Sequence, residues 1–389
     1  MNERVEKDYT ISLNIKHRIR FSRDVFNEAN RLLASLLESN GHAKVLVFLE
    51  QAVAVEFPQL KEKIETYFAS TPGLDLKAVK IEVGAEECKR NEKVLRRVWD
   101  AVEEHKVDRH SYIFAIGGGA FLDVIGFGAA TAHRGVRLVR FPTTTLSQDD
   151  SGVGVKNGIN AFGKKNWIGS FAVPYAVVND FAFLHTQPEK VRRDGLIEAV
   201  KVALVRDGAF FDWMEDNAKL LTNLRPHALE EAIERSAILH AEHIALGGDP
   251  FETGNSRPLD YGHWAAHKLE QLTDFALSHA EAVSIGLALD TVYSWRSGRL
   301  TKVEAHRVLD LLVELKLPLY DDAYELKDES GRRKVFYGLE EFREHLGGEL
   351  TIMLLRGLGT GEDVHSMDES LLEYCIKYLQ DFSRDKVGV

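Results

Sequence analysis

Ser111-Tyr112-Ile113-Phe114-Ala115-Ile116-Gly117-Gly118-Gly119-Ala120-Phe121-Leu122-Asp123 joins an apolar, aromatic and β-branched run to a glycine turn. The run reads as a strand, and the turn leads into a helical pattern. Glycines without side chains allow close backbone approach to phosphate, and a helix N-terminus offers free amides. A pyrophosphate suits such a turn. It is not the GxGxxG fingerprint, and a glycine-rich turn between strand and helix also serves as a plain tight connection.

Outward from this stretch, Lys44–Leu49 and Val136–Phe141 read as further strands, the latter ended by Pro142, which cannot donate to a ladder. Amphipathic patterns such as Val25 to Glu38 read as helices between them. Alternating units of this kind predict a mainly parallel sheet in an α/β domain. Glu50 follows the first of these strands, where a carboxylate can accept from ribose hydroxyls or simply be a solvated turn residue. Thr143-Thr144-Thr145 follows another and offers hydroxyls to a cofactor or a cap to the next helix. From about residue 188 the patterns are long and helical: His227 to Leu246, Trp264 to Leu272, Glu281 to Trp295 and Lys302 to Leu315. The expected division is an α/β nucleotide-binding domain over residues 1–186 and an all-α domain over 187–389.

The 389 residues carry 49 basic and 60 acidic side chains, a net charge of −11, with no run of five basic residues. That balance excludes a broad electrostatic footprint for nucleic acid or an anionic membrane, so an anionic small substrate needs a local basic pocket. The most apolar stretch, Tyr112 to Ala130, contains Asp123 and five glycines and is no membrane span. Cys88 and Cys375 form neither a disulfide framework nor a thiolate motif, and the first residues lack a signal peptide's apolar region. A cytoplasmic location is expected.

Two polar, glycine-rich segments follow, Gln148 to Asn160 and Gly163 to Gly169. Lys156, Lys165 and Asn166 supply the cations and amide that a phosphate monoester needs, unless the segments are ordinary exposed loops. Further on, Glu198 and Lys201 lie three apart on an otherwise apolar helix and so share a face. Buried charges need partners: a metal for Glu198 and an anion for Lys201, or simply each other. His263 and His267 share a helix face, and His279 opens another helix. Two imidazoles and a carboxylate on one divalent ion leave positions open for a substrate oxygen, as a catalytic site requires, but spacing alone does not show that they converge.

These segments, in this order, resemble the sugar phosphate cyclases of the 3-dehydroquinate synthase superfamily. Gly117 to Asp123 is similar to that family's GGGxxxD turn, Arg134-Gly135-Val136 to its RG segment, and Pro142-Thr143-Thr144 to its PTT. Gln148 to Lys156 resembles QxDSxxGxK, Gly163 to Gly169 GKNxIG with one extra residue, and Glu198 to Lys201 ExxK. Gly262-His263 with His267 resembles GHxxxH, and His279 to Val283 HxEAV. The resemblance implies NAD, one zinc or cobalt ion, and a homodimer. It places Glu198, His263 and His279 at the metal, and Gly118, Gly119, Asp123, Thr143 and Thr144 at NAD, with Glu50, Glu86, Lys89 and Lys165 beside it. Lys156, Asn166, His267, Lys201 and Asp150 fall in the substrate pocket, and Arg134 reaches a phosphate in the neighbouring subunit. The implied reaction is transient oxidation by NAD, elimination of phosphate, return of the hydride and intramolecular aldol closure.

Departures from the pattern point to a branch. Where a dehydroquinate synthase holds a substrate carboxylate with a lysine, this chain has His240 or Glu242, depending on whether Gly247-Gly248 is an insertion. The following motif reads Ser256-Arg257-Pro258-Leu259-Asp260-Tyr261-Gly262-His263, with Asp260 for an asparagine and Arg257 displaced by one residue. Asp260 repels a carboxylate but accepts from a sugar's diol. Arg343 stands near the position of the family's late lysine. This corner, with His267 and Glu270, most resembles the 2-epi-valiolone synthase type and related cyclases encoded in ebo clusters, which act on sedoheptulose 7-phosphate. The alternatives are 3-dehydroquinate synthase itself and a metal-dependent polyol dehydrogenase of the same fold.

Overall fold

The computed structural model describes residues 7–37, 43–90, 92–162, 164–254, 256–345 and 348–387. Eight strands lie in the first half: β1 (Ile19–Ser22), β2 (Ala43–Glu50), β3 (Leu74–Glu82), β4 (Tyr112–Gly117), β5 (Arg137–Pro142), β6 (Lys156–Ala161), β7 (Lys164–Phe171) and β8 (Ala176–Asp180). Six of them form one sheet in the order β1-β8-β5-β4-β2-β3, with every neighbouring pair parallel. The uninterrupted apolar runs follow from this arrangement, because helices cover both faces. Val45, Val47, Leu49, Phe114 and Ile116 pack on one face with Phe26, Ile64 and Tyr67. Leu46, Phe48, Ile113 and Ala115 pack on the other with Val98, Leu122 and Ile125.

The chain leaves β2 for β3 on one side of it and returns to β4 on the other. A crevice therefore opens beyond the carboxyl ends of β2 and β4, where open parallel sheets hold their ligands. Glu50 and the glycine turn stand at those two ends.

Two expectations from sequence are corrected. Val25 to Glu38 is not one helix: only Leu32–Leu36 is helical, and Glu38 lies outside the described residues. The Asp180 carboxylate accepts from the amides of Asp24 (2.9 Å) and Val25 (2.7 Å), and the Asn30 side chain accepts from the Leu32 amide (3.0 Å). The Leu32 amide, like that of Ala29, which donates to Asn27 Oδ1 (3.0 Å), is one that a helix from Val25 would have bonded internally. The segments around Lys156 and Asn166 are not loops but an antiparallel hairpin, β6 with β7. Buried Arg140 on β5 fastens its approach, donating to the carbonyls of Gly152 (3.1 Å), Gly154 (2.8 Å) and Lys156 (2.8 Å) and to Asn157 Oδ1 (2.7 Å). Charge-assisted bonds to carbonyls satisfy a guanidinium that burial would otherwise penalise.

The second half packs its helices around one core, including Leu196–Arg206, Pro226–Leu246, His263–Leu272, His279–Arg296, Lys302–Glu314 and Glu369–Val387. A capping box opens the fourth of these: Ser278 Oγ accepts from the Glu281 amide (3.3 Å), and Glu281 Oε2 from the Ser278 amide (2.9 Å). His279 is thereby fixed at the first helical position. Among the described residues, no helix is long and apolar enough to cross a membrane.

Candidate active site

The helix Leu196–Arg206 is buried along nearly its whole length, and the three-residue spacing turns Glu198 and Lys201 to the same side. Glycine brings the two histidine helices against them. Gly262 takes a left-handed φ of 82°, and a Cβ on Gly286 would stand 2.1 Å from the Gly262 carbonyl, so neither position admits a side chain. With the helices this close, one ligand atom each from Glu198, His263 and His279 falls within a span of 4.8 Å.

The Lys201 ammonium stands 2.5 Å from Glu198 Oε2 as a counter-charge, while Oε1 is buried without a hydrogen bond. Burial raises the Glu198 carboxyl above its ordinary range against the pull of Lys201. Burial and the Lys201 charge hold His263 well below its ordinary value, in the neutral form that coordinates. An orphaned carboxylate oxygen facing imidazole nitrogens fits a divalent ion of the zinc or cobalt kind.

His279 behaves differently. Its Nε2 faces Glu198 Oε1 at 3.9 Å, and its Nδ1 meets Glu270 Oε2 at 3.3 Å. Burial would lower His279, but Glu270 raises it. Glu270 itself is held at about 2: burial opposes ionisation, and His279 with Lys165 overcomes it. His267 stands at the cleft mouth, open to solvent on one side, yet enclosure and the neighbouring His279 lower it to about 4.

Beside the triad, Asp150 Oδ1 lies 3.6 Å from Lys201 Nζ and 3.1 Å from His240 Nδ1. Burial disfavours its charge, but Lys201 and His240 hold Asp150 far below the usual carboxylate range. Burial would likewise lower Lys201, yet Asp150 and Glu198 keep it above the ordinary lysine range. Asp260, on the 3-10 turn Pro258–Asp260, adds negative charge to both Lys201 and His267. Of the two candidates for the family's lysine position, His240 enters the pocket and Glu242 is exposed.

Across the cleft, Glu50 Oε2 accepts from the Gly118 amide (2.7 Å) and Oε1 from the Ala85 amide (3.2 Å). Gly118 is the N-cap of the helix Gly119–Thr131, so the turn already receives an anionic oxygen at a helix N-terminus. That observation fits a pyrophosphate-bearing cofactor. Lys89 bridges Asp123 Oδ2 and Asn166 Oδ1, each at 2.6 Å. Thr143 is buried, and Thr144 Oγ1 accepts from the Ser147 amide (3.1 Å), which is the capping alternative, with its methyl group close to Gly118. The Glu86 side chain lies outside the described residues.

Several expected residues stand elsewhere or are already engaged. Lys165 reaches across to Glu270 Oε1 (2.8 Å), on the metal side of the cleft. Lys156 pairs with Glu252 Oε1 (2.6 Å), and the Arg257 guanidinium is bonded to Glu252 Oε2. Arg343 is exposed on the helix Tyr337–His345 and pairs with no described residue. Arg134 is exposed on a left-handed turn with His133 (φ 61° and 51°), on the wall of an open cavity of about 710 Å³ that also holds Lys16, Arg18 and Arg137. Sequence reasoning missed Glu252, in the Asp249-Pro250-Phe251-Glu252-Thr253-Gly254 stretch, because only its meeting with Lys156 and Arg257 in space marks it. It also missed Asp149, fully buried with both carboxylate oxygens unpartnered. Burial, then Asp150 and Glu198, push Asp149 well above its usual range. Nothing in its immediate sequence separates it from Asp150.

The model of the 3-dehydroquinate synthase N-terminal domain matches residues 80–194, and that of the C-terminal domain residues 195–330. A 3-dehydroquinate synthase of Halorhodospira halophila is 37% identical over 298 residues, spanning 75% of this chain and 81% of that one. ValA, the 2-epi-5-epi-valiolone synthase of Streptomyces hygroscopicus subsp. jinggangensis, solved with NAD+ and Zn2+ bound, superposes with a TM-score of 0.84 at 27% identity, covering 97% of this chain and all of that one. A 2-deoxy-scyllo-inosose synthase complexed with carbaglucose-6-phosphate, NAD+ and Co2+ shares the fold, with a TM-score of 0.74 at 20% identity over 92% of this chain and 96% of that one. With Glu198, His263 and His279 converged and the two domain models matching adjoining stretches, residues 80–194 and 195–330, the chain belongs to the 3-dehydroquinate synthase family of sugar phosphate cyclases.

Proposed function

We propose that this enzyme closes sedoheptulose 7-phosphate to a valiolone-type C7 cyclitol with loss of phosphate, using NAD and one zinc or cobalt ion, as a cytoplasmic homodimer. The domain division at residues 186 and 187 and the assignment of Arg134 to the neighbouring subunit's phosphate belong to the same reading. Its main support is the engagement of Arg257. The Glu252 carboxylate and the Glu252 carbonyl (3.3 Å) bond the two terminal nitrogens of the guanidinium, its buried Nε has no partner among the described residues, and Asp260 stands in the same corner, so a substrate carboxylate meets two acidic side chains beside Arg257. A ketose phosphate that offers hydroxyls fits better.

When bound, NAD and the metal supply reversible oxidation of a ring hydroxyl and polarisation of its oxygen. The chain's own residues do the rest. Glu198, His263 and His279 hold the ion, and Glu50, Gly118, Gly119, Asp123, Thr143 and Thr144 the cofactor, with Glu86 and Lys89 beside them. Lys156 and Asn166 receive the phosphate, with Arg343 as a more distant positive charge. Lys201, linked to Asp150, holds a proton beside the reacting hydroxyl, and neutral His267 accepts one. Asp260 accepts a substrate hydroxyl.

A second reading, 3-dehydroquinate synthase, is favoured by the 37% identical relative of that name. A polyol dehydrogenase would accumulate NADH, whereas a cyclase returns the hydride. The deciding assay incubates metal-loaded protein with NAD and either sedoheptulose 7-phosphate or the carboxylated heptulosonate phosphate, following phosphate release and the carbocycle by mass and NMR. Turnover of the first alone is expected, and turnover of the second alone overturns the branch.

A further inference from the structure

The contacts of Lys165 point away from a purely cofactor-binding role. It lies on β7, next to Asn166, whose side chain is tied through Lys89 to Asp123 in the cofactor crevice. Its own ammonium crosses to Glu270 Oε1 (2.8 Å) and sits 4.7 Å from the centroid of the Phe275 ring. Phe275 is presented by two successive left-handed residues, Asp274 (φ 49°) and Phe275 (φ 62°), and its amide donates to the Glu270 carbonyl (2.7 Å). The second oxygen of Glu270 meets His279 Nδ1 at 3.3 Å. A carboxylate only accepts, so Nδ1 carries the proton and Nε2 is left with its lone pair toward Glu198.

We infer that Glu270 is a positioning residue that fixes the tautomer and aim of His279 and, through Lys165, links occupation of the nucleotide crevice to affinity for the metal. The inference rests on the cofactor part of the function proposed above, but not on its substrate. Glu270 is almost fully buried at 3% exposure, so its two bonds are not solvent-screened alternatives to water. Lys165 and Asn166 are adjacent on one strand; whatever reorders Asn166 and Lys89 at the crevice shifts the ammonium that restrains Glu270. Reciprocity then requires that metal binding strengthen NAD binding by the same factor.

The test titrates cobalt(II) into metal-free protein with and without saturating NAD, reading visible absorption and competition with a chelator; no sugar phosphate is added, so failure of the substrate assignment leaves the result intact. In the unaltered protein NAD should tighten cobalt binding by about 5-fold or more. Glu270→Ala should weaken cobalt binding by roughly 10- to 100-fold and shift the absorption bands. Glu270→Gln, which keeps an acceptor oxygen, should fall between, and it serves as the test if the alanine variant does not fold. Lys165→Met, measured at an NAD concentration shown to saturate the variant, should lose the NAD-linked tightening whatever its affinity for cobalt alone. The inference is overturned if the Glu270 variants bind cobalt with unaltered affinity and spectrum, if the unaltered protein shows no NAD-linked tightening, or if Lys165→Met keeps it in full.

Discussion

Replacing Lys201 with methionine removes the ammonium placed between buried Glu198 at 2.5 Å and half-buried Asp150 at 3.6 Å. At an effective dielectric of about 20 these separations correspond to gross attractions of roughly 7 and 5 kcal/mol, most of which offsets the cost of burying the charges. Breaking a buried pair by removing one partner costs about 3–5 kcal/mol, because the remaining charge is left uncompensated. In the metal-free protein the variant should therefore lose about that much stability, read as a shift of the urea midpoint at unchanged slope. A divalent ion on Glu198 supplies the missing positive charge, so saturating zinc should restore roughly half of the loss or more, leaving mainly the Asp150 share. The pH dependence has a definite sign. Burial already raises Glu198, and without Lys201 it rises further; the stability gained by protonating it is complete below the unfolded carboxyl value and disappears as pH climbs through the raised folded value. The defect should thus be larger at pH 8 than at pH 5.5. Equal destabilisation with and without zinc, or a loss below about 1 kcal/mol in both, would refute the assignment of Lys201 as counter-charge to a metal-ligating carboxylate.

Three further outcomes are expected. Gly262→Ala forces a side chain into a left-handed conformation and places its Cβ 2.6 Å from the Leu287 amide nitrogen; a loss of at least about 1–2 kcal/mol in melting experiments should accompany weaker metal retention, since His263 is the next residue. Glu50→Ala removes the anionic acceptor of the Gly118 amide and, on the proposed reading, of ribose hydroxyls, and NAD affinity measured by calorimetry should fall by about 1.5–3 kcal/mol; an unchanged constant would remove Glu50 from the cofactor site. Asp290, buried beneath the Trp264 indole (2.9 Å) and the Gly262 amide (3.0 Å), is raised to about 7 by burial in spite of those donors. Its contribution to stability is complete below about pH 4 and lost as pH rises through 7, so Asp290→Asn should flatten the stability profile across that window.

What the sequence made legible was whatever depends on local pattern. The strands of the central sheet were readable because burial on both faces leaves uninterrupted apolar runs, and Glu198 with Lys201 because helix geometry turns residues three apart to one side. The convergence of Glu198, His263 and His279 was not readable from spacing: it depends on the Gly262–Gly286 approach of two helices, and only the order of motifs foretold it. The pattern from Val25 misled because Asn27 and Asn30 take the Ala29 and Leu32 amides that a continuous helix needs. Glu252 escaped because its importance arises from meeting Lys156 and Arg257 in space, and Asp149 because burial rather than residue type separates it from Asp150.

The substrate corner can be argued one step further from Glu252, because its two cations are not equally available. Lys156 is more than half exposed at the side chain (56%), and an ion pair of that kind is worth about 0–1 kcal/mol, so a dianionic phosphate displaces Glu252 from it cheaply. Arg257 is only 14% exposed and is held by both a carboxylate oxygen and the Glu252 carbonyl. A substrate carboxylate would have to break that enclosed pairing and leave Glu252 unpartnered, in a corner where Asp260 already adds negative charge to Lys201 and His267. Losing one partner of an enclosed pair costs several kcal/mol, more than one new carboxylate contact near a like charge returns. On the proposed function the same glutamate would yield Lys156 to phosphate and withhold Arg257 from a carboxylate, and substitution of Glu252 by glutamine should then admit carboxylated sugar phosphates as competitive inhibitors, read as a lowered inhibition constant.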